Sequence, residues 1–159
     1  MDDKKLTYWK LKWTEALPVR SLVGKDNIPK RPGVYVFSDS TASLIPNPRL
    51  PLKSDPNYER HMQKRRPLLH VIYVGKATNL RTRIIGYKFI KRGGRLPKRV
   101  ADRHKGRALL HAHQYFAEEG LEPPLYVRWA IVDGGDDLLK ETEGQLIREL
   151  NPALNTYGR

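Results

Sequence analysis

Three short runs, Gly33-Val34-Tyr35-Val36-Phe37, Leu68 to Gly75 and Leu125 to Val132, are dense in β-branched and aromatic residues and bounded by turn formers. Such runs are strands. Within 159 residues they describe one small sheet, to be covered by whatever helices the rest of the chain supplies. Alternation along the first run puts Val34 and Val36 on one face and Tyr35 and Phe37 on the other. The second run passes directly into a basic helix, with Thr78-Asn79 as the N-cap and an end near Tyr87. Gly93-Gly94 breaks the chain, and Pro97 opens a longer helix that stops at Gly120. Asp133-Gly134-Gly135-Asp136 then turns into a last helix, Asp137 to Leu150, ended by Asn151-Pro152. The expected architecture is α+β, a single domain over 1–159 with a three-stranded sheet and flanking helices.

Two segments stand outside that pattern. Residues 1–31 form an N-terminal arm with Trp9, Trp13, Leu17 and Leu22, read as a short helix or packed arm before the turn at Ile28 to Pro32. Residues 38–67 carry five prolines and the basic knot from Arg60 to Arg66, which rejects a regular element there. A loop this long inside one domain is functional or disordered.

Charge decides the partner class. Lysine and arginine number 30 against 17 acids, a formal +13. The excess is clustered, since eleven basic residues between Arg81 and Arg107 face one acid, Asp102. A solvated helix face is the bland account; a polyanion, and nucleic acid first, is the account this density favours. The expected contacts are Lys88, Lys91, Arg92, Arg95, Lys98, Arg99 and Arg103, with Lys64, Arg65 and Arg66 from the inserted loop. Cysteine is absent, which excludes disulfides, thiolate catalysis and zinc sites built on Cys. No apolar run is long enough to span a bilayer, and MDDKKLTYWK has no apolar core of a leader. No membrane partner and a cytoplasmic address are therefore expected.

The last helix holds a geometric oddity. At about 100° per residue, Leu139, Leu146, Ile147 and Leu150 share one arc, with Glu143 inside it and Glu141 and Glu149 outside. A carboxylate on a core-facing stripe is costly unless it is paired, hydrogen-bonded or metal-bound. Glu143 is then either a stripe-edge acid that reaches water or a core arginine, or a ligand. The strand-to-helix corner VIYVGKATNLRTRI adds chemistry: Tyr73, Lys76 and Arg83 on it, and Tyr35 beside it if the first two strands are antiparallel neighbours. Two phenols, a lysine, an arginine and a lone carboxylate suit phosphodiester hydrolysis. Mg²⁺ accepts one carboxylate because it keeps waters and takes phosphate oxygens, and arginine's planar fork matches two phosphoryl oxygens. His104, His111 and His113 do not make a metal set, since His111 and His113 leave opposite sides of a helix.

Gly33-Val34-Tyr35 and Tyr73-Val74-Gly75 match the paired tripeptides of the GIY-YIG nucleases, which the chain resembles over roughly residues 32–156. YVGKATNLRTRIIGY is similar to the nuclease domain of the bacterial excision-repair incision subunit. The family's arginine falls at Arg83, a further tyrosine at Tyr87, its glutamate at Glu143 of Glu143-Gly144-Gln145-Leu146-Ile147, and its late asparagine at Asn155. The resemblance implies an antiparallel three-stranded sheet and one-metal cleavage of DNA with Mg²⁺ or Mn²⁺. It implies Glu143 as metal ligand, Arg83 on the phosphoryl charge, and Tyr35 as base or relay. Tyr73 and Lys76 would position water and phosphate, with Tyr87 and Asn155 as supporting contacts. The chain departs from the family in the long insertion from Ser38 to Pro67 and in lacking a recognisable DNA-binding module, which leaves recognition to the insertion, to residues 88–107, or to a dimer or larger assembly. The competing readings are a non-catalytic nucleic-acid-binding protein on the same fold, and a structural protein whose basic face meets a protein or ribosomal RNA.

Overall fold

Strand alternation and the apolar arc of the last helix between them dictate a two-sided sheet, and the computed structural model has one. It describes residues 7–18, 27–39, 41, 43–48, 55–57, 60–61, 70–88 and 126–152. In chain order the elements are a helical turn α1 (Thr7–Lys10), strands β1 (Leu17–Pro18), β2 (Gly33–Ser38) and β3 (Val71–Ala77), helix α2 (Leu80–Lys88), strand β4 (Tyr126–Ile131) and helix α3 (Asp136–Leu150). The expected helix from Pro97 to Gly120 lies outside the described residues.

Among the described residues the sheet has four strands, not three, in the order β1-β4-β2-β3, and every pairing is antiparallel. The extra strand comes from the N-terminal arm. Leu17 and Pro18 lie opposite Val127 and Tyr126, and Thr14 extends the contact, its N–H donating to Trp129 O at 3.0 Å while its Oγ1 accepts from Trp129 N at 3.2 Å. Two residues with a proline carry no strand signal. Pro18 is tolerated because β1 is an edge, where a missing N–H costs no ladder bond.

Register divides the side chains between two faces. Val34, Val36, Val74 and Ala130 join Leu139, Leu146, Ile147 and Leu150 of α3 in one core, with Tyr8 from α1 and Val71 at the start of β3. Each buried valine, leucine or isoleucine among them stabilises the fold by about 1.5–3 kcal/mol. Tyr35, Phe37, Tyr73 and Trp129 occupy the other face. Helix α2 covers that second face, since Leu80 Cδ1 fills the place that a side chain at Gly33 would take, and Leu80 and Ile84 are fully buried. The arm is tied to α3 as well: the Tyr8 amide donates to Glu149 Oε2 at 3.2 Å, and Trp13 Nε1 donates to Tyr8 O at 2.8 Å.

The helix ends follow their local chemistry. Asn79 caps α2, its Oδ1 accepting from Thr82 N at 3.2 Å. Asp136 and Asp137 occupy the first turn of α3 and Arg148 its last, each with the sign the helix dipole favours. Asn151 closes α3 in the left-handed conformation at φ 50°, its N–H on Ile147 O. Among the described residues no helix is long and apolar enough to cross a membrane.

Candidate functional site

The two glycine–tyrosine segments face each other in register, with Tyr35 directly opposite Gly75 and Gly33 opposite Ala77. Gly75 sits in ordinary strand backbone, so its role is space rather than conformational freedom. A methyl group there would overlap Cζ and Oη of Tyr35. The Tyr35 ring therefore lies across the backbone of β3, the outermost strand on this side among the described residues, with its hydroxyl over Gly75. Tyr73 is diagonal to it. The two rings are 6.2 Å apart and tilted by 39°, and Phe37 packs edge-on to Tyr35 at 5.7 Å. The expected shared face for Tyr35 and Tyr73 is present. Both phenols are buried, Tyr73 keeping 6% exposure against 1% for Tyr35.

Strand β3 runs to Ala77, two residues past the expected end, which keeps Lys76 within the sheet, opposite Val34. Helix α2 then starts against the turn before β2. Leu80 N donates to Arg31 O at 3.0 Å, Arg81 N to Pro29 O at 3.2 Å, and Arg83 N to Asn79 O at 3.2 Å. With Thr82 N on Asn79 Oδ1, the first turn of α2 has no amide left to cradle an anion. Positive potential at the corner must come from side chains.

Those side chains fall into two sets. Arg81 is committed, its Nε donating to Ile28 O at 2.7 Å, and Arg31 is paired with Asp133. Arg83 and Lys76 are half-buried and, among the described residues, engage no carboxylate. On α2, Arg83 lies about 60° from Leu80, on the flank of the stripe that packs against the tyrosine face. Tyr87 and Lys88 belong to the last turn of α2. Asn155, Lys91, Arg92, Arg95, Lys98, Arg99, Arg103, Lys64, Arg65 and Arg66 lie outside the described residues.

Glu143 is buried at 8% exposure on the sheet-facing arc of α3, with Leu139, Thr142, Leu146, Ile147 and Leu150, as the helical spacing requires. Glu141 is exposed. Because α3 packs on the valine face, the sheet separates it from the two phenols. A substrate atom can meet both only around the outer edge of β3, and Lys76 stands at that edge on the α3 side.

Two residues with site-like burial carry no sequence signal of that kind. Arg128 is buried on β4 opposite Val36, and desolvation lowers its pKa from the ordinary guanidinium value. The sole hint is an arginine in an otherwise apolar run. Asn47, inside the proline-rich insertion, is buried and hydrogen-bonded to two other elements. Compared with known protein families, curated proteins and solved structures, the chain matches none.

Proposed function

We propose that the protein is a divalent-metal-dependent DNA endonuclease of the GIY-YIG kind. The observation that carries this reading is the seating of the Tyr35 ring on Gly75 at a strand-to-helix corner that also carries Lys76 and Arg83, which engage no carboxylate among the described residues. A glycine kept for an aromatic ring, beside these two cations, supports a site for a phosphodiester at this corner. The formal +13 supplies affinity for the substrate polyanion.

The donor set fits one kind of metal. Among the described residues no three His, Asp or Glu side chains gather to hold an ion, and Glu143 is the single buried carboxylate of the site. That set suits Mg²⁺ or Mn²⁺ that keeps its waters and completes its shell with phosphate oxygens. When bound, the ion would stabilise charge on the departing oxygen. The chain's own residues do the rest. One tyrosine, after giving its own proton to solvent, would act as a phenolate that accepts the proton of the attacking water, and Tyr73, the more exposed of the two, meets solvent more readily than Tyr35. Arg83 offers its planar fork to two phosphoryl oxygens and stays charged throughout. Lys76 holds the phosphate at the rim.

One observation favours a second reading. The near-complete burial of both phenols is also what a non-catalytic nucleic-acid-binding protein on this fold would show, with the tyrosines as packing and the cations as phosphate contacts.

Supercoiled plasmid, incubated with the wild-type chain in Mg²⁺, in Mn²⁺ and in EDTA and with Glu143→Gln in parallel, separates the two. Nicking or linearisation that needs the metal and disappears in Glu143→Gln, with DNA binding retained, is the expected result. Cleavage by Glu143→Gln at the wild-type rate overturns the metal assignment. Binding without cleavage, on branched DNA as well as duplex, assigns the protein to the second reading.

A further inference from the structure

Asn47 lies in the insertion between β2 and β3, between Pro46 and Pro48, and is 3% exposed. Every hydrogen-bonding group it has is used. Nδ2 donates to Val71 O at 2.6 Å and to Asn151 O at 3.0 Å, while Oδ1 accepts from His70 N at 2.8 Å and Val71 N at 3.1 Å. Its main chain is engaged too: Asn47 N donates to Leu150 O at 2.9 Å, and Asn47 O accepts from Asn151 Nδ2 at 3.2 Å.

Two donors and two acceptors in one short planar group is a set that the asparagine amide provides and a carboxylate cannot, because a carboxylate only accepts. The two prolines hold the residue ready. Pro46 has a fixed φ, and Pro48 confines Asn47 itself to extended backbone. The partners belong to two different elements, the first residue of β3 with its predecessor and the last turn of α3. Tyr73 lies two residues into β3 from Val71, and Glu143 lies two turns back along α3 from Leu150.

We propose that Asn47 is a positioning residue, a strap that fixes α3 against β3 and so holds Glu143 and Tyr73 in their relation around the edge of the sheet. The role assigned to those two side chains rests on the nuclease reading. The strap itself rests on the hydrogen bonds alone. It makes the first part of the insertion a component of the fold rather than an attachment to it, and it ties the exit of α3, from which the chain continues toward Asn155, to the same point.

The test compares Asn47→Asp, Asn47→Ala and a control, Thr14→Ala, which loses the half-buried hydrogen bond between the arm and β4, two strands away from β3. Asn47→Asp keeps shape and acceptors but loses both donors; Asn47→Ser, with a single donor on a shorter side chain, replaces either variant that does not fold. Two readouts are taken. In cleavage, kcat should fall by about 10- to 100-fold in the Asn47 variants, with KM and DNA affinity unchanged, since misplacement of a reacting group by about 1 Å costs up to ~10²-fold. Thr14→Ala should keep the wild-type kcat. In amide hydrogen exchange, His70, Val71 and the last turn of α3 should lose protection together, with β2 and β4 unaffected. A folded Asn47 variant with wild-type kcat overturns the positioning role, and release of only one of the two elements overturns the strap. If the wild-type chain cuts no DNA, the nuclease reading has failed, and the exchange pattern by itself decides the strap.

Discussion

Gly75→Ala tests the corner most directly, because a single methyl group is placed where Cζ and Oη of Tyr35 lie. The ring is 1% exposed and wedged between Phe37 and Tyr73, so it cannot swing clear without repacking the tyrosine face. Overpacking of this kind costs about 1–3 kcal/mol. Against it stands the usual gain of about 0.5–1 kcal/mol for alanine over glycine inside a strand. The net loss is about 0–2.5 kcal/mol, a fall of up to about 10 °C in Tm for a chain of this size. On the nuclease reading, the expected loss of cleavage is larger than the loss of stability, about 10²-fold in kcat, because the ring that gives way belongs to the proposed site. Tyr35→Leu removes the obstructing atoms, so Gly75→Ala in that background should be neutral or mildly stabilising. A double-mutant cycle by urea unfolding should therefore return a coupling of at least about 1 kcal/mol between the two positions. Additivity within about 0.5 kcal/mol, or a Gly75→Ala protein as stable and as active as wild type, would refute the idea that Gly75 exists to seat the ring.

DNA affinity should fall steeply with salt, by about 10³-fold or more between 50 and 200 mM if six or more phosphates are neutralised; a flat fluorescence-anisotropy titration would remove the basic surface from the binding argument. Asn79→Ala deletes the cap of α2 and should cost about 1 kcal/mol, read as a lower Tm with an unchanged unfolding slope in urea. Asp133→Asn breaks the pair with Arg31, whose side chains are both more than half exposed, and should cost well under 1 kcal/mol, with the difference from wild type vanishing in 1 M salt.

What the sequence made legible was local. The alternation of Val34 and Val36 with Tyr35 and Phe37 set the two faces of the sheet, and the spacing of Leu139, Leu146, Ile147 and Leu150 put Glu143 on the buried arc of α3. Asn79 acts on the helix that follows it at once, so its cap was readable too. The rest was long-range. Leu17-Pro18 becomes a strand because β4 offers a free edge, which no property of those two residues announces. Asn47 meets partners at Val71 and Asn151, and an asparagine between prolines reads as a turn until those partners are in place. The separation of Glu143 from the phenols by the sheet was likewise invisible, since it depends on which face each helix chooses.

The strand order also fixes when each edge is protected during synthesis. β2 can pair with β3 once Ala77 has left the ribosome, but its other edge, along Gly33 to Ser38, waits for Tyr126 to Ile131. In that interval all of the basic stretch from Arg81 to Arg107 emerges. An open strand edge is a template for a neighbouring chain, and the growing protein meets its neighbours carrying a strong like charge at the very stage when that edge is bare. Nascent chains that have emerged as far as Arg107 but not yet to Tyr126 are thus the stage at which mutual pairing is most exposed, and repulsion between them is the safeguard that the order of translation provides.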